Sequence, residues 1–489
     1  MTKLKYLLIL AALALSACAG RQEEVAIHGE ADVAGHRIGT LAGSCYDIQL
    51  SPRKDIKLSL FSTVSDCAEA VKAGKIDAIL VDEVVFSKAS LKQTGLKKAF
   101  RQDESFPTAF AFRKEDSALA DSFNQFLHEL KESGTLDQMM EYWFESEELR
   151  PEDFPQVEEY TTGEPLRYAN CETIAPIAFL AGGKWNGFEI DLARRFAAFL
   201  KRPLQIDLFE FSSMIVGLQL GKTDMIGGSI FITEERQQQV TFGDPYYNVH
   251  PAYFIKDVQA ARAKKEPLHV SVVNAVRQNF IVENRWQMIT DGLATTLLIT
   301  FWSIILGSLL GILLCMMALS RRKRLRSFVG LYDGFMHGIP MLVLLLIMFY
   351  VVLARTGWDA RTIAIVAFAL NFASAAGGVF KTSVESVPHG QTEAGLALGF
   401  TKMRTFLNIV LPQAVRKGLP LYKSECISLL KGTSIVGYIA VIDVTRASDL
   451  VRSRTFDAFM PLLAVTIIYF VLAWLIGLLL NSLTLKARR

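Results

Sequence analysis

Few residues of this 489-residue chain are spaced for chemistry, and their arrangement excludes more than it offers. Seven histidines show no ligand spacing, and the six cysteines form no pair of the C-x-x-C kind that holds zinc. No metal site follows from them. Cys45 and Cys67 share one segment and either pair or stay free, because sequence alone does not bring them within bonding distance. Cys315 and Cys426 lie in or beside apolar runs and read as packing residues. Gly217 to Thr223 comes within one residue of the phosphate-loop pattern G-x-x-x-x-G-K-S/T. Its Gly-Lys ends a helical pattern and precedes a strand, whereas a phosphate loop needs the reverse order. No nucleotide site and no catalytic set is expected in this chain. The stretch Glu393 to Pro412, EAGLALGFTKMRTFLNIVLP, offers backbone shape instead. It is a polar segment between apolar spans. Small Ala394 and Gly395 let a helix seat closely, Gly399 permits a sharp turn, and Pro412 opposes continuation of an ordinary helix.

The elements that must position these residues fall into two halves. Hydrophobic residues make up 51% of the chain and concentrate at its start and after residue 288. The net charge of +3 is too small to argue for nucleic acid, and Lys and Arg cluster beside apolar spans as a topology signal. The start, MTKLKYLLILAALALSAC, has Lys3 and Lys5 before an apolar run too short to span a bilayer. This reads as a signal peptide over residues 1–18. Leu15-Ser16-Ala17-Cys18 resembles a bacterial lipoprotein cleavage box, so Cys18 becomes a lipidated first residue; an ordinary signal peptide is the alternative. Export follows either way.

Residues 19–34 are small and polar, a tether. A soluble α/β pattern then runs over residues 35–150: a strand over His36 to Ala42, a helix over Ser65 to Ala73 closed by Gly74, and a buried strand over Ile76 to Val81. Ser117 to Ser133 carries apolar residues at helical spacing. Pro151 and Pro155 among acidic residues mark a linker over 151–164. A second α/β unit fills 165–260, with strands at Leu166 to Ala169 and Gln205 to Phe209, and helices opening at Gly187 and Ser213. AVKAGKIDAIL (70–80) and GLQLGKTDMIG (217–227) echo each other as helix, Gly-Lys, then x-Asp and strand, which indicates two lobes of like topology.

Residues 34 to 256 resemble the polar amino-acid solute-binding proteins, the two-lobed receptors of ABC importers. GFEIDLA, TEER and FGDPYY in 165–256 resemble that family's first lobe, residues 36–110 its second lobe, and 111–145 its returning tail. The resemblance implies an α/β two-lobed periplasmic-binding-protein fold, circularly permuted. Two degenerate half-receptors that do not close on a ligand are the alternative. It also implies a ligand set. In Ser229-Ile230-Phe231-Ile232-Thr233-Glu234-Glu235-Arg236, Arg236 matches the family's carboxylate-binding arginine, whose forked cation suits that group. Ser229 and Phe231 would add backbone contacts, with Thr233 in the same motif. Gly43 and Ser44 match a pair that donates to the carboxylate, and Asp82 matches the acid that takes the ammonium. Ile174 and Ile177 stand where the family has aromatics, and Phe179 remains of that wall.

Residues 261–287 read as a basic amphipathic link ending at Trp286 near the outer interface. Residues 288–489 carry apolar spans at about Ile289 to Leu319, Leu331 to Ala354, Ile363 to Phe380, Cys426 to Val444 and Phe459 to Leu483. Arg321 to Arg326 and Lys486 to Arg489 are basic and place their ends inside. GLATTLLIT, HGIPMLVLL, VPHGQTEAGLALGF and LLKGTSIVGYIAV resemble polar amino-acid permeases, which implies an all-α five-span ABC importer transmembrane domain. Glu393, Ala394, Gly395, Gly399, Ile409, Leu411 and Pro412 resemble the family's coupling loop, E-A-A-x3-G-x9-I-x-L-P, with Gly395 as the departure. Ala375 and Gly378 stand where the family has Tyr and Glu, so this path differs or these small residues serve helix packing.

Together the resemblances imply a receptor–permease subunit of an ATP-driven importer for a polar amino acid, not an enzyme. The partners implied are a dimeric cytoplasmic ATPase, a second permease subunit, same or homologous, the amino acid and the membrane, with no nucleic acid. The chain itself takes no cofactor; ATP and Mg belong to the ATPase. The expected place is the bacterial cytoplasmic (inner) membrane, with the N-terminal half periplasmic or extracellular and the C-terminus cytoplasmic. A membrane-tethered sensor would need a signalling domain after the last span. A ligand-gated channel would need a filter such as TVGYG.

Overall fold

In a computed structural model of the protein, the described residues are 25–86, 91, 94–146, 154–171, 175–181, 183–209, 211–258, 268–354 and 356–486. The signal segment with Cys18 and the residue Ile174 lie outside them. The chain divides into two compact units, Met1–Arg285 with Leu450–Ala458, and Trp286–Asp449 with Phe459–Arg489.

The first unit holds two mixed sheets. Its strands are β1 (Arg37–Leu41), β2 (Lys57–Phe61), β3 (Ala78–Asp82), β4 (Leu96–Arg101), β5 (Phe106–Thr108), β6 (Ala111–Phe112) and β7 (Leu166–Asn170). They continue with β8 (Phe179–Ala181), β9 (Lys184–Asn186), β10 (Leu204–Leu208), β11 (Met225–Ile226), β12 (Thr241–Phe242), β13 (Tyr247–Val249) and β14 (Pro251–Lys256). One sheet has the order β2-β1-β3-β14-β4, the other β10-β7-β11-β6-β12. β1 pairs in parallel with β2 and β3, as β7 does with β10 and β11. The crossover helices Val64–Lys72 and Phe211–Gln219 precede β3 and β11, which is what parallel neighbours require. β5 and β13 pair antiparallel, with Thr108 opposite Tyr247, where the chain passes between the sheets.

Two assignments differ from expectation. The sequence pattern places residues 165–260 in one lobe, but β14 pairs with β3 and β4 in the β1 sheet. Its run PAYFIK is buried through Ile255, as suits a strand inside a sheet rather than a lobe's exposed end. Conversely, β6 enters the β7 sheet, and the helix Ser117–Glu132 packs there. Phe123 meets Phe196 edge to face at 5.2 Å, and Phe126 lies 5.5 Å from the same ring.

The echo noted between residues 70–80 and 217–227 is carried by matching ion pairs. Arg37, which opens β1, donates from its backbone, Nε and Nη2 to Asp77, and from Nη1 to the carbonyls of Gly74 and Lys75. Arg167, which opens β7, does the same to Asp224, Gly221 and Lys222. Each clamp ties the end of a helix and its Gly-Lys turn to the neighbouring strand.

In the second unit, three helices are long and apolar enough to cross a membrane: Trp286–Ala318, Ala360–Glu385 and Phe459–Ser482. Two further pairs pass that test only when joined across a bend, Lys323–Gly338 with Met341–Val352 at 104° and Lys402–Ile439 with Val444–Thr455 at 55°. The first bend falls at Gly338-Ile339-Pro340, where proline removes a donor and restricts the residue before it. The first and third expected spans cross tightly. A Cβ at Gly307 would lie 2.8 Å from the Ala369 carbonyl, and one at Gly311 would lie 3.0 Å from the Gly377 nitrogen.

Candidate ligand site

A small cleft, of about 30 Å³, lies where the two sheets of the first unit face each other. From the β1 sheet and its connections it is lined by Leu41, Ser44, Cys45, Tyr46, Val64, Val81, Asp82 and Val85. From the β7 side it is lined by Phe211, Gly228, Ser229, Phe231 and Arg236. Both ionisable groups singled out from the sequence, Asp82 and Arg236, therefore meet in one cavity.

Arg236 sits in the short helix Glu234–Gln237, whose N-cap Thr233 accepts a hydrogen bond from the Arg236 amide at 3.3 Å. Its Nη1 donates to the Phe231 carbonyl at 3.3 Å, and its guanidinium lies 5.4 Å from the centre of the Phe211 ring. Burial lowers its pKa from the ordinary arginine value, while the neighbouring Cys45, Cys171 and Glu235 act the other way. Among the described residues no carboxylate forms an ion pair with it. A partly buried fork of this kind has the chemistry to pair with an anion.

Asp82 ends β3 and is 7% exposed. Tyr46 donates its hydroxyl to it. Burial pushes the Asp82 carboxyl up to about 7; the Tyr46 hydrogen bond opposes that rise and the charge of Glu189 adds to it. Cys45, next to Tyr46, has its thiol pushed up to about 12, chiefly by burial and then by Asp82, so it is neutral.

The other expected contacts are arranged differently. Gly43 does not line the cleft, and its N–H donates to Asp47 at 2.9 Å. The Ser44 hydroxyl donates to the Leu41 carbonyl at 2.7 Å and accepts from the Asp47 amide, capping the helix Cys45–Leu50. The Ser229 N–H donates to Glu189 at 2.9 Å, and its hydroxyl pairs with Tyr247 at 2.9 Å. Thr233 caps and lies outside the cleft lining. Phe179 is fully buried in β8 against Trp143 at 6.2 Å, so it is a core residue and not a wall of the cleft. Phe231 supplies the aromatic surface instead. It stacks on Phe106 at 5.2 Å and meets Tyr46 edge to face at 5.8 Å. Cys45 and Cys67 are both free.

Glu189 carries no ligand role in the sequence reading, yet it shapes the cleft. It is fully buried and accepts from Gly228 N at 2.5 Å, Ser229 N at 2.9 Å, Tyr246 at 2.8 Å and Tyr168 at 3.1 Å. Burial raises its pKa against those four bonds. It thereby fixes Gly228-Ser229, where Gly228 has φ +89° and Ser229 φ +55°. A Cβ at Gly228 would lie 2.6 Å from the Cys171 sulfur, so only glycine fits. The available signal was an acid inside GFEIDLA, on a helix whose first two turns are buried.

In the second unit, the stretch around Glu393 forms a hairpin of helices. His389–Ala397 is followed by Gly399 at φ +83°, then Lys402–Thr405, a wide π-type turn over Phe406–Val410, and the long helix Leu411–Gly432. Pro412 lies in the first turn of that helix, directly after the π-type turn, so ordinary helical geometry is interrupted just before it. Gly395 faces inward, since a Cβ there would lie 2.6 Å from Thr405 Cγ2 and 2.9 Å from Ile409 Cδ1. Glu393 and Ala394 are exposed, and Leu398 is 75% exposed. Of the two small residues in the third span, Gly378 has nothing within 4 Å of a built Cβ, so packing within this chain does not account for it.

The family model for bacterial extracellular solute-binding proteins, family 3, matches residues 53–146 and 166–418. The L-cystine transport system permease protein TcyB of Bacillus subtilis (strain 168) is 30% identical over 206 residues, covering 42% of this chain and 88% of that protein. The putative glutamine transport system permease protein GlnP of Rickettsia typhi (strain ATCC VR-144 / Wilmington) is 28% identical over 191 residues, 39% of this chain and 88% of that protein. A crystal structure of an amino acid ABC transporter with histidines shares 30% identity at a TM-score of 0.38, covering 41% of this chain and 94% of that one. With the cleft of the first unit and the apolar helices of the second, these matches identify the chain as a member of the bacterial extracellular solute-binding proteins, family 3, fused to an amino-acid ABC transporter permease.

Proposed function

We propose that the chain is the receptor–permease subunit of an ATP-driven importer that captures an α-amino acid in the Asp82–Arg236 cleft and passes it through its apolar helices. The meeting of a buried acid and a partly buried arginine in one cavity between two sheets carries this reading. A zwitterion matches both groups at once: its carboxylate neutralises Arg236 and its ammonium neutralises Asp82. Each pairing relieves a desolvated charge, so the ligand favours the closed arrangement of the two lobes. β5 and β13 are the crossings about which the lobes would open. The order of the segments is a circular permutation of the usual receptor, and the β14 and β6 exchanges let that order complete both sheets.

The hairpin from His389 to Val410 is proposed to dock in a separate dimeric ATPase, with Glu393, Ala394 and Leu398 on the contact face. A second permease subunit completes the path. The N-terminal half lies outside the cytoplasmic membrane. Calorimetric titration of the purified full chain with L-amino acids tests the receptor. Saturable binding that falls at least 100-fold in Arg236→Ala and in Asp82→Ala is expected, from charge-assisted hydrogen bonds of about 1.5–3 kcal/mol each plus the charge left unpaired. Binding unaffected by either substitution would sink it.

A further inference from the structure

Resting on that receptor reading, we propose that the cleft selects an amino acid with an uncharged, apolar or thioether side chain. Asp82 and Arg236 are the ionisable carboxylate and cation among the described lining residues, and the ligand's own head group occupies both. What is left to face the side chain is Leu41, Val64, Val81 and Val85 from one lobe and Phe211 and Phe231 from the other. The polar lining atoms are already engaged inside the protein. Ser44 donates to the Leu41 carbonyl, Tyr46 to Asp82, and Ser229 pairs with Tyr247. The N–H groups of Gly228 and Ser229 are held by Glu189. Cys45 is a neutral, weakly polar thiol that suits a carbon or sulfur neighbour.

A carboxamide, imidazolium, guanidinium or second carboxylate entering this space would lose its water and gain no partner among the described lining side chains. An aliphatic or thioether chain gains by leaving water for the valine and phenylalanine surface. Selectivity therefore arises by exclusion: among the described residues the wall's side chains, beyond the weakly polar Cys45 thiol, hold no free donor, acceptor or charge for polar side chains.

The test is equilibrium binding to the full chain in lipid nanodiscs, comparing L-methionine, L-leucine and L-valine with L-glutamine, L-histidine, L-arginine and L-glutamate. At least one of the first three is expected to bind ten-fold or more tighter than every one of the last four. Val85→Asn, or Phe231→Ser if the first does not fold, should narrow the gap between methionine and glutamine at least five-fold. Tighter binding of any of the four polar amino acids overturns the inference and leaves the receptor reading standing. No binding of any amino acid, by protein with an intact cooperative thermal transition, overturns both. An unchanged ratio in a folded variant overturns the role given to the wall.

Discussion

Asp82 shows how burial sets the protonation of a group that lines the cleft and is proposed to bind the ligand. A carboxyl moved from its usual 3.8 to about 7 is largely protonated at pH 6 and largely charged at pH 8. The ligand's ammonium needs the charged form. Affinity is therefore expected to weaken by about tenfold for each pH unit below 7 and to level off above it. Stability of the empty receptor runs the other way. Between the ordinary and the raised value the folded state holds a proton that the unfolded state has released, so stability falls as pH rises from about 4 to 7. Asp82→Asn should abolish both slopes and lower affinity. Calorimetry and thermal unfolding across pH 5 to 8 check this, and an affinity flat with pH in the unaltered protein would refute the assignment. Arg236 and Asp82 were readable from motifs because each is tied to a local pattern, TEER and a strand end. Glu189 was not, since its four donors come from Tyr168, Gly228, Ser229 and Tyr246, brought together by folding.

At the scale of elements, the paired Arg–Asp clamps hold the same joint in both lobes. They differ in surroundings. Asp77 is 15% exposed beside an Arg37 that is 43% exposed, whereas Asp224 is 8% exposed and also faces Arg113 at 3.3 Å and Arg202 at 3.8 Å. Burial alone would raise the Asp224 carboxyl, but Arg167, through hydrogen bonds and charge, and Arg113 hold it below the usual range. Asp224→Asn leaves Arg167 and Arg202 without their anion and Arg113 with Asp116 alone, and should cost about 3 kcal/mol; Asp77→Asn should cost about 1 kcal/mol because water screens its pair. Denaturant unfolding at pH 7 measures both. The cost of Asp224→Asn should shrink as pH falls below about 4, where the unfolded carboxylate takes up a proton before the native one does. Equal costs for the two would refute the burial argument. The repeat was visible in sequence as Gly-Lys-x-Asp; the arginine that completes each clamp lies some forty or more residues earlier and was not, because it meets its aspartate only when the parallel strands align.

For the whole molecule, capture and coupling are separable. Glu393→Ala with Leu398→Ala changes exposed residues of the hairpin and leaves the cleft untouched. The double variant is expected to keep amino-acid affinity within about twofold, since distant sites act independently, while losing co-purification of an ATPase and ATP-dependent uptake into vesicles. Uptake at the unaltered rate would refute the coupling role. The sequence by itself determined the alternation of strands and helices in the first unit, the apolar runs of the second and the offsets of the hairpin motif, because each depends on periodicity or on neighbours within a few residues. Only the tertiary structure decided that β14 leaves its sequence neighbours to sit between β3 and β4, that two expected spans are bent, and that Phe179 belongs to the core while Phe231 lines the cleft. It also decided which polar groups remain free. Gly43, Ser44, Ser229 and Thr233 carry the right chemistry for a ligand, but each has a hydrogen-bond partner within the folded chain. A buried donor takes whichever acceptor the packing places in reach, and that choice is made by residues far apart in sequence.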